Sequence, residues 1–239
     1  MKTTVVLNDT HGNFVDPVAL RLVLDFIKRE QPDNVVLNGD IMDFYKISQF
    51  DKDPARLTTL QEEIDFVYDN ILGPIRKAVP DAKIDYVQGN HEARLRKYLW
   101  KKASELASLR ALNIDALLRL RELNITYHEK MHKIGDLYFF HGEVIRQHSG
   151  YTAKAMFDRK GVSLIHGHTH RDGKYTLRNL NGQYAVWENY CLCSLEPEYI
   201  DFPNWTQGFA YITHVGKRPM CEQVPIISGS YIFGGKIYN

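Results

Sequence analysis

Three short apolar runs, TTVVLND, NVVLNGD and KIDYVQGN, are separated by two longer segments with apolar residues at helical spacing, and this alternation limits the possible fold more than any other feature. Such β-branched runs, ending abruptly in Asn, Asp or Gly, read as buried strands. Between the first two, PVALRLVLDFIKREQ carries Pro17 in a first helical turn, where it is tolerated, and Pro32 just past the helix end. Before the third strand a long helix is predicted from about Pro54 to Lys77, with Leu57, Leu60, Ile64, Val67 and Ile71 along one stripe. Strand, helix, strand, helix, strand is the pattern of a layered α/β domain. Residues 92–123 then read as helices with alternating Leu and Arg/Lys, a small helical insertion before the strands resume. DLYFFHG, VSLIHGH, KYTLRNL and QYAVWEN are predicted strands, the last two joined by an Asn-Gly turn, and the tail from about Gln207 alternates strand-like runs with Gly and Pro. No repeat or linker interrupts residues 1–239, which predicts a single domain carrying the 92–123 lobe.

Lys plus Arg number 30 against 29 for Asp plus Glu, so no global basic field drives non-specific binding to nucleic acid, and only a local patch is open. The start, MKTTVVLNDTHG, lacks a signal peptide's apolar run, and no stretch approaches the ~20 apolar residues of a membrane span. Cytoplasmic residence without a membrane partner is the expectation. Cys191, Cys193 and Cys221 are too few for a disulfide framework, and Cys191-x-Cys193 reads as part of a strand.

Ligand-type side chains recur where the predicted strands end: Asp9 and His11, Asp40, Asn90 and His91, His141, then His166, His168 and His170. Open α/β sheets place their sites at the carboxyl ends of parallel strands, so these loops are expected to converge on one crevice. An isolated Asp there is usually a cap or turn residue; the repetition over five strand ends is what carries weight. Carboxylate, amide and imidazole together suit hard-to-borderline divalent cations rather than a thiolate-selected metal. The set is too large for one ion and suits two, which at about 3.5–4 Å apart clamp the attacking and leaving oxygens of a phosphate ester. Asp9 and Asp40 return only part of the charge of two divalent cations, and the remainder favours an anionic substrate.

Asp9-x-His11, Gly39-Asp40-x-x-Asp43, Gly89-Asn90-His91-Glu92, His141-Gly142 and Gly167-His168-x-His170 resemble, in order, the five motifs of the calcineurin-like metallophosphoesterases. The resemblance spans residues 9 to 170 and implies an α/β fold, a β-sandwich of two mixed sheets flanked by helices. It also implies a dinuclear metal hydrolase. Carried over position by position, Asp9, His11 and His170 hold the first ion, Asn90, His141 and His168 the second, and Asp40 bridges both. Mn²⁺ is the first expectation for the two divalent ions, with Fe, Zn, Ni, Co or Mg also accommodated. A hydroxide between the ions attacks phosphorus in line, and His91 contacts the phosphate and protonates the leaving oxygen. Asp43 orients His91. His166 lies outside the motif pattern and is expected to be either a core histidine or one that supports a ligand from behind.

Two departures narrow the branch. Protein serine/threonine phosphatases of the superfamily continue the second motif with Arg-Gly, whereas this chain has Phe44-Tyr45. The lipid-precursor pyrophosphatases carry Arg after the third-motif Asn, where His91 stands here. The chain is more similar to the small phosphoesterases of bacteria and their phages. Arg94, Lys97 and Lys101 fall at helical spacing after His91, with Tyr98 and Trp100 as base-stacking surfaces. Arg146, His148 and Lys154 offer further phosphate contacts. The expected activity is hydrolysis of phosphodiesters of nucleotides or nucleic acid. Phosphomonoester hydrolysis, a nuclease needing a partner subunit and an inactive scaffold of the same fold are the rivals.

Overall fold

Alternate side chains of β1 (Lys2–Leu7) serve two different cores. Val5 and Leu7 pack with Val23, Phe26 and Ile27 of α1 (Pro17–Glu30), while Val6 faces the other way, against Phe139, Ile165 and Trp187. The period of two in a strand produces this division. It repeats in β2 (Asn34–Leu37), where Val35 and Leu37 oppose Val36. The computed structural model describes residues 1–197 and 200–239.

Along the chain follow α2 (Leu60–Val67), α3 (Gly73–Ala78), β3 (Lys83–Val87), α4 (Glu92–Lys102), α5 (Ile114–Leu117), β4 (Ile125–His128), β5 (His132–Ile134) and β6 (Leu137–Phe139). Then come α6 (Tyr151–Lys160), β7 (Leu164–His166), β8 (Gly173–Asn179), β9 (Gly182–Glu188), β10 (Gln207–Val215), β11 (Arg218–Ile226), β12 (Tyr231–Phe233) and β13 (Lys236–Tyr238). One sheet runs β11-β10-β1-β2-β3-β4 and the other β5-β6-β7-β9-β8, with β12 and β13 as a separate hairpin. Both sheets are mixed: β1 to β4 are parallel with β10 antiparallel to β1, and β6, β7 and β9 are parallel between antiparallel β5 and β8. α6 covers the outer face of the second sheet, setting Ala153 and Met156 on Leu164 and Val186. The result is helices, sheet, sheet, helix, the sandwich expected. No helix among the described residues is long and apolar enough to cross a membrane.

Three local expectations need correction. The helix placed from about Pro54 begins at Leu60, because Thr59 caps it: its hydroxyl accepts from Glu62 N while Glu62 accepts from Thr59 N. Leu57 therefore lies outside the stripe and is 81% exposed. A π turn over Tyr68–Leu72 then separates α2 from α3; Pro74, with no N–H to donate, follows it and the wider turn absorbs the interruption. Residues 92–123 contain less α-helix than expected, since Ser104–Ser108 and Arg110–Leu112 form 3-10 turns. This segment is the long crossover that parallel β3 and β4 require. In the β8–β9 hairpin Asn179 pairs with Gly182, so Leu180 and Asn181, rather than Asn-Gly, occupy the centre of the turn.

Candidate metal centre

The loops after β1 and β2 are joined by backbone bonds, Asp9 N to Gly39 O, His11 N to Asp40 O and Gly12 N to Ile41 O, which fix two ligand-type loops against each other. Asp9, His11, Asp40, His168 and His170 have φ of 53°, 54°, 52°, 71° and 56°. Non-glycine residues in this left-handed region cost about 1–3 kcal/mol each and concentrate where function requires them. Gly39, at φ 90°, lies where a Cβ would collide with the His141 ring, so only glycine lets that ring approach.

Two buried carboxylates hold the loops from behind. Glu92 accepts from the backbone N–H of Asp40, Ile41, Met42 and Gly89 and from the Tyr86 hydroxyl, at 2.7 to 3.0 Å. Glu63 accepts from Asp43 N and Phe44 N, each at 2.7 Å, and burial, with the Asp43 charge beside it, pushes its carboxyl up to about 7. Neither is a ligand by position; both aim the loop that carries Asp40 and Asp43.

The expected donors meet. His170 Nε2 lies 3.1 Å from Asp9 Oδ1, His11 Nε2 lies 3.7 Å from the same oxygen, and the two Nε2 atoms face each other at 3.1 Å. His141 Nε2 is 3.0 Å from Asp40 Oδ2, 3.1 Å from Asn90 Oδ1 and 3.9 Å from Asp9 Oδ1. His168 donates its backbone N–H to Asp9 Oδ2 at 3.0 Å, and its ring sits 5.3 Å from that of His141. Ligand atoms of Asp40, His141 and His168 lie within 4.8 Å of one another, as do those of His11, Asp40 and His91, and of His11, His170 and Cys193.

Burial opposes charge on His141 and His170, but Asp40 and Asp9 around the first, and Cys193 and Asp9 around the second, outweigh it and raise both to about 9. Two protonated Nε2 atoms nevertheless cannot face each other at 3.1 Å, as those of His11 and His170 do. Lone pairs directed at a shared cation satisfy that geometry, and the same cation would serve the buried Asp9 Oδ1, which makes no well-directed hydrogen bond among the described residues. Burial, with His141 adding to it, lowers His168 to about 4 and leaves its ring a free base. The donor set therefore fits divalent cations.

His91 has a defined tautomer. Arg94 Nη2 lies 2.8 Å from His91 Nε2, and a guanidinium only donates, so Nε2 is the acceptor and the proton sits on Nδ1. Nδ1 is 2.8 Å from Asp43 Oδ1, while His11 Nδ1 is 3.0 Å from that oxygen, so Asp43 orients two imidazoles. Burial raises Asp43, but its bonds to His11 and His91 prevail and lower it.

Of the expected substrate contacts, Arg94 is at the site, whereas Arg146 and His148 lie exposed on the loop before α6. The His148 ring packs on Tyr151, and Lys154 pairs with Asp158 on the outside of α6. The loop's cationic link is buried Arg171, which donates to the Gln147 and Arg146 carbonyls. Arg171 directly follows His170, a position the sequence made visible without showing that it points inward. Cys193 is likewise more than a strand residue: its Sγ is 3.7 Å from His170 Nδ1. His166 is buried behind the loops, where Nδ1 donates to Gly167 O and burial lowers it to about 4.

The family model for calcineurin-like phosphoesterases matches residues 2–172. Gene 54 protein of Mycobacterium phage D29 is 29% identical over 253 aligned residues, covering 100% of this chain and 99% of that protein, and its counterpart in Mycobacterium phage L5 is 28% identical. Among solved structures, Zn²⁺-complexed Vps29 of Entamoeba histolytica shares 14% identity at a TM-score of 0.51, covering 99% of this chain and 97% of that one. A dimetal phosphatase of Danio rerio shares 12% at a TM-score of 0.51, covering 93% and 95%. These two likenesses concern the fold alone.

Proposed function

Because the chain belongs to the calcineurin-like phosphoesterase family, we propose that it is a divalent-metal phosphodiesterase acting on single-stranded nucleic acid. Asp9, His11 and His170 would hold one ion, Asn90, His141 and His168 the other, and Asp40 both. Two such ions polarise the phosphoryl oxygens and lower the pKa of the attacking water. His91 supplies the proton for the leaving oxygen. To do so it must take a proton at Nε2, the atom Arg94 now occupies, so an arriving phosphate draws the guanidinium away and frees that nitrogen. Asp43, on Nδ1, stabilises the resulting imidazolium.

His91→Ala is accordingly expected to keep both metals and lose about 10²–10⁴-fold in turnover on esters with poor leaving groups. Loss on a nitrophenyl ester, whose leaving oxygen needs no proton, should be much smaller. Steady-state kinetics beside metal analysis reads both, and metal loss would refute the role.

The observation that carries the substrate class is a groove of about 730 Å³ running from Asn90. Arg94, Lys46, Lys52, Lys97, Lys101 and Lys102 line it, with Phe50 and Tyr98, and no carboxylate among the described residues does. Phe50 is 76% exposed and Tyr98 41%, which leaves ring faces for bases to stack on. Trp100 lies elsewhere: it turns to the other side of α4, beside Arg96. A chain of near-zero net charge with one such stripe is built to track a polyanion locally.

If six phosphates are contacted, log affinity for single-stranded DNA should fall with log salt at a slope near about −4. Lys97→Ala/Lys101→Ala should reduce that slope by about 1.4 and leave turnover of bis-nitrophenyl phosphate unchanged. An unaltered slope, or preference for a phosphomonoester over the diester, would overturn the reading.

A further inference from the structure

A second cluster of metal-type ligands lies in the layer between the sheets. Asp85 is on β3 with the register of Val87, so its side chain points toward the second sheet, and it is fully buried. His128 ends β4 and His132 begins β5, the strands at one edge of each sheet. His128 Nε2 is 2.7 Å from Asp85 Oδ1, His132 Nε2 is 3.3 Å from Asp85 Oδ2, and the two rings are 4.3 Å apart. One ligand atom from each residue falls within 4.8 Å of the others.

Burial makes the arrangement informative. Asp85 Oδ2 and His132 Nε2 are both buried, and among the described residues neither makes a well-directed hydrogen bond although they lie 3.3 Å apart, an expensive condition between two sheets. The cation nearest the carboxylate is Lys83, whose Nζ is 3.1 Å from Oδ2, but its side chain is 56% exposed and can withdraw to water. None of the three residues is hydrogen-bonded to a donor of the phosphoesterase centre.

We propose that Asp85, His128 and His132 form an independent transition-metal site that pins the edge of one sheet to the edge of the other. Two imidazoles and a carboxylate select Zn²⁺, or its borderline neighbours Co²⁺ and Ni²⁺, over Mg²⁺ or Ca²⁺. Three protein ligands leave one tetrahedral position for water. The metal satisfies Oδ2 and the His132 nitrogen together and replaces the single charge of Lys83 with two. Its role is mechanical: it joins β3 and β4 to β5 across a junction where both sheets end.

The test isolates this site by disabling the other. In Asp9→Asn/Asp40→Asn protein, zinc titration followed by dialysis and elemental analysis should retain one Zn²⁺ per chain. Saturating Zn²⁺, at a hundredfold excess over Kd, should raise the thermal midpoint by roughly 5–10 °C. Both effects should vanish with His132→Ala or Asp85→Asn added, and Mg²⁺ should reproduce neither. In the otherwise native chain His132→Ala should lower bound zinc from three to two per chain with diester turnover intact. If the doubly substituted protein retains no zinc, or retains it after His132→Ala, the proposal is wrong. Should His132→Ala fail to fold, His128→Asn serves as the same control.

Discussion

Asp40→Asn is expected to weaken both ions together and reduce ester turnover by at least about 100-fold, measured as metal content and steady-state rate on one preparation. On the proposed arrangement Asp40 is the carboxylate common to both donor groups. Its Oδ2 is 3.0 Å from His141 Nε2 and 3.7 Å from His91 Nε2, while Oδ1 accepts from His91 N at 2.8 Å. The amide removes a negative charge from a buried site that two divalent cations overfill with positive charge. It also puts an N–H₂ where either the His91 N–H or a cation requires an acceptor, so neither rotamer serves both. His11→Ala, on one side of the centre, should by contrast release one ion preferentially. Retention of either ion at full occupancy in Asp40→Asn would remove Asp40 from the bridging position. The fold should barely respond, because Asp40 N, the bond that anchors its loop to Glu92, is backbone and survives the change.

The donors were legible in the sequence because they stand at strand ends, where a loop has few residues with which to reach the crevice. Asp9, Asp40 and Asn90 each follow a short apolar run that ends abruptly in polar residues, and the strand it forms is buried on both faces. What surrounds the donors was less legible. Arg146 and Arg171 are both arginines near a motif histidine, yet only Arg171 is buried, and which one turns inward depends on contacts with Gln147 and Glu188 that no local pattern encodes. Cys193 reaches His170 through a bridge between Val15 and Cys193, distant in sequence. Two sequence signals compete at the start of α2: Thr59-x-x-Glu62 is a capping box that starts the helix at Leu60, while Leu57 fits the apolar period and predicts an earlier start. The Asp85 cluster depends on the meeting of two sheet edges and has no signature shorter than the fold itself.

Glu92 stands in the same short motif as Asn90 and His91, and its replacement should separate support from chemistry. Five donors converge on its two oxygens: the N–H groups of Asp40, Ile41, Met42 and Gly89, and the Tyr86 hydroxyl. Glu92→Gln keeps one acceptor oxygen and sets an N–H₂ against donors that have no other partner among the described residues. A buried donor left unmet costs about 1–3 kcal/mol, and breaking a buried charged network from one side about 3–5 kcal/mol. For a chain of this size that lowers the thermal midpoint by roughly 6–20 °C. Tyr86→Phe removes a single donor and should cost only about 1 kcal/mol. The amide's one oxygen serves most donors at the Oε1 position, where Ile41 N, Met42 N and the Tyr86 hydroxyl meet, which leaves Asp40 N and Gly89 N unmet, so Tyr86→Phe in the Glu92→Gln background should still cost about 1 kcal/mol. Metal affinity should fall with stability in Glu92→Gln, because the loop released is the one that carries Asp40. A Glu92→Gln protein as stable as the parent, with full metal and no turnover, would instead place this carboxylate in the reaction.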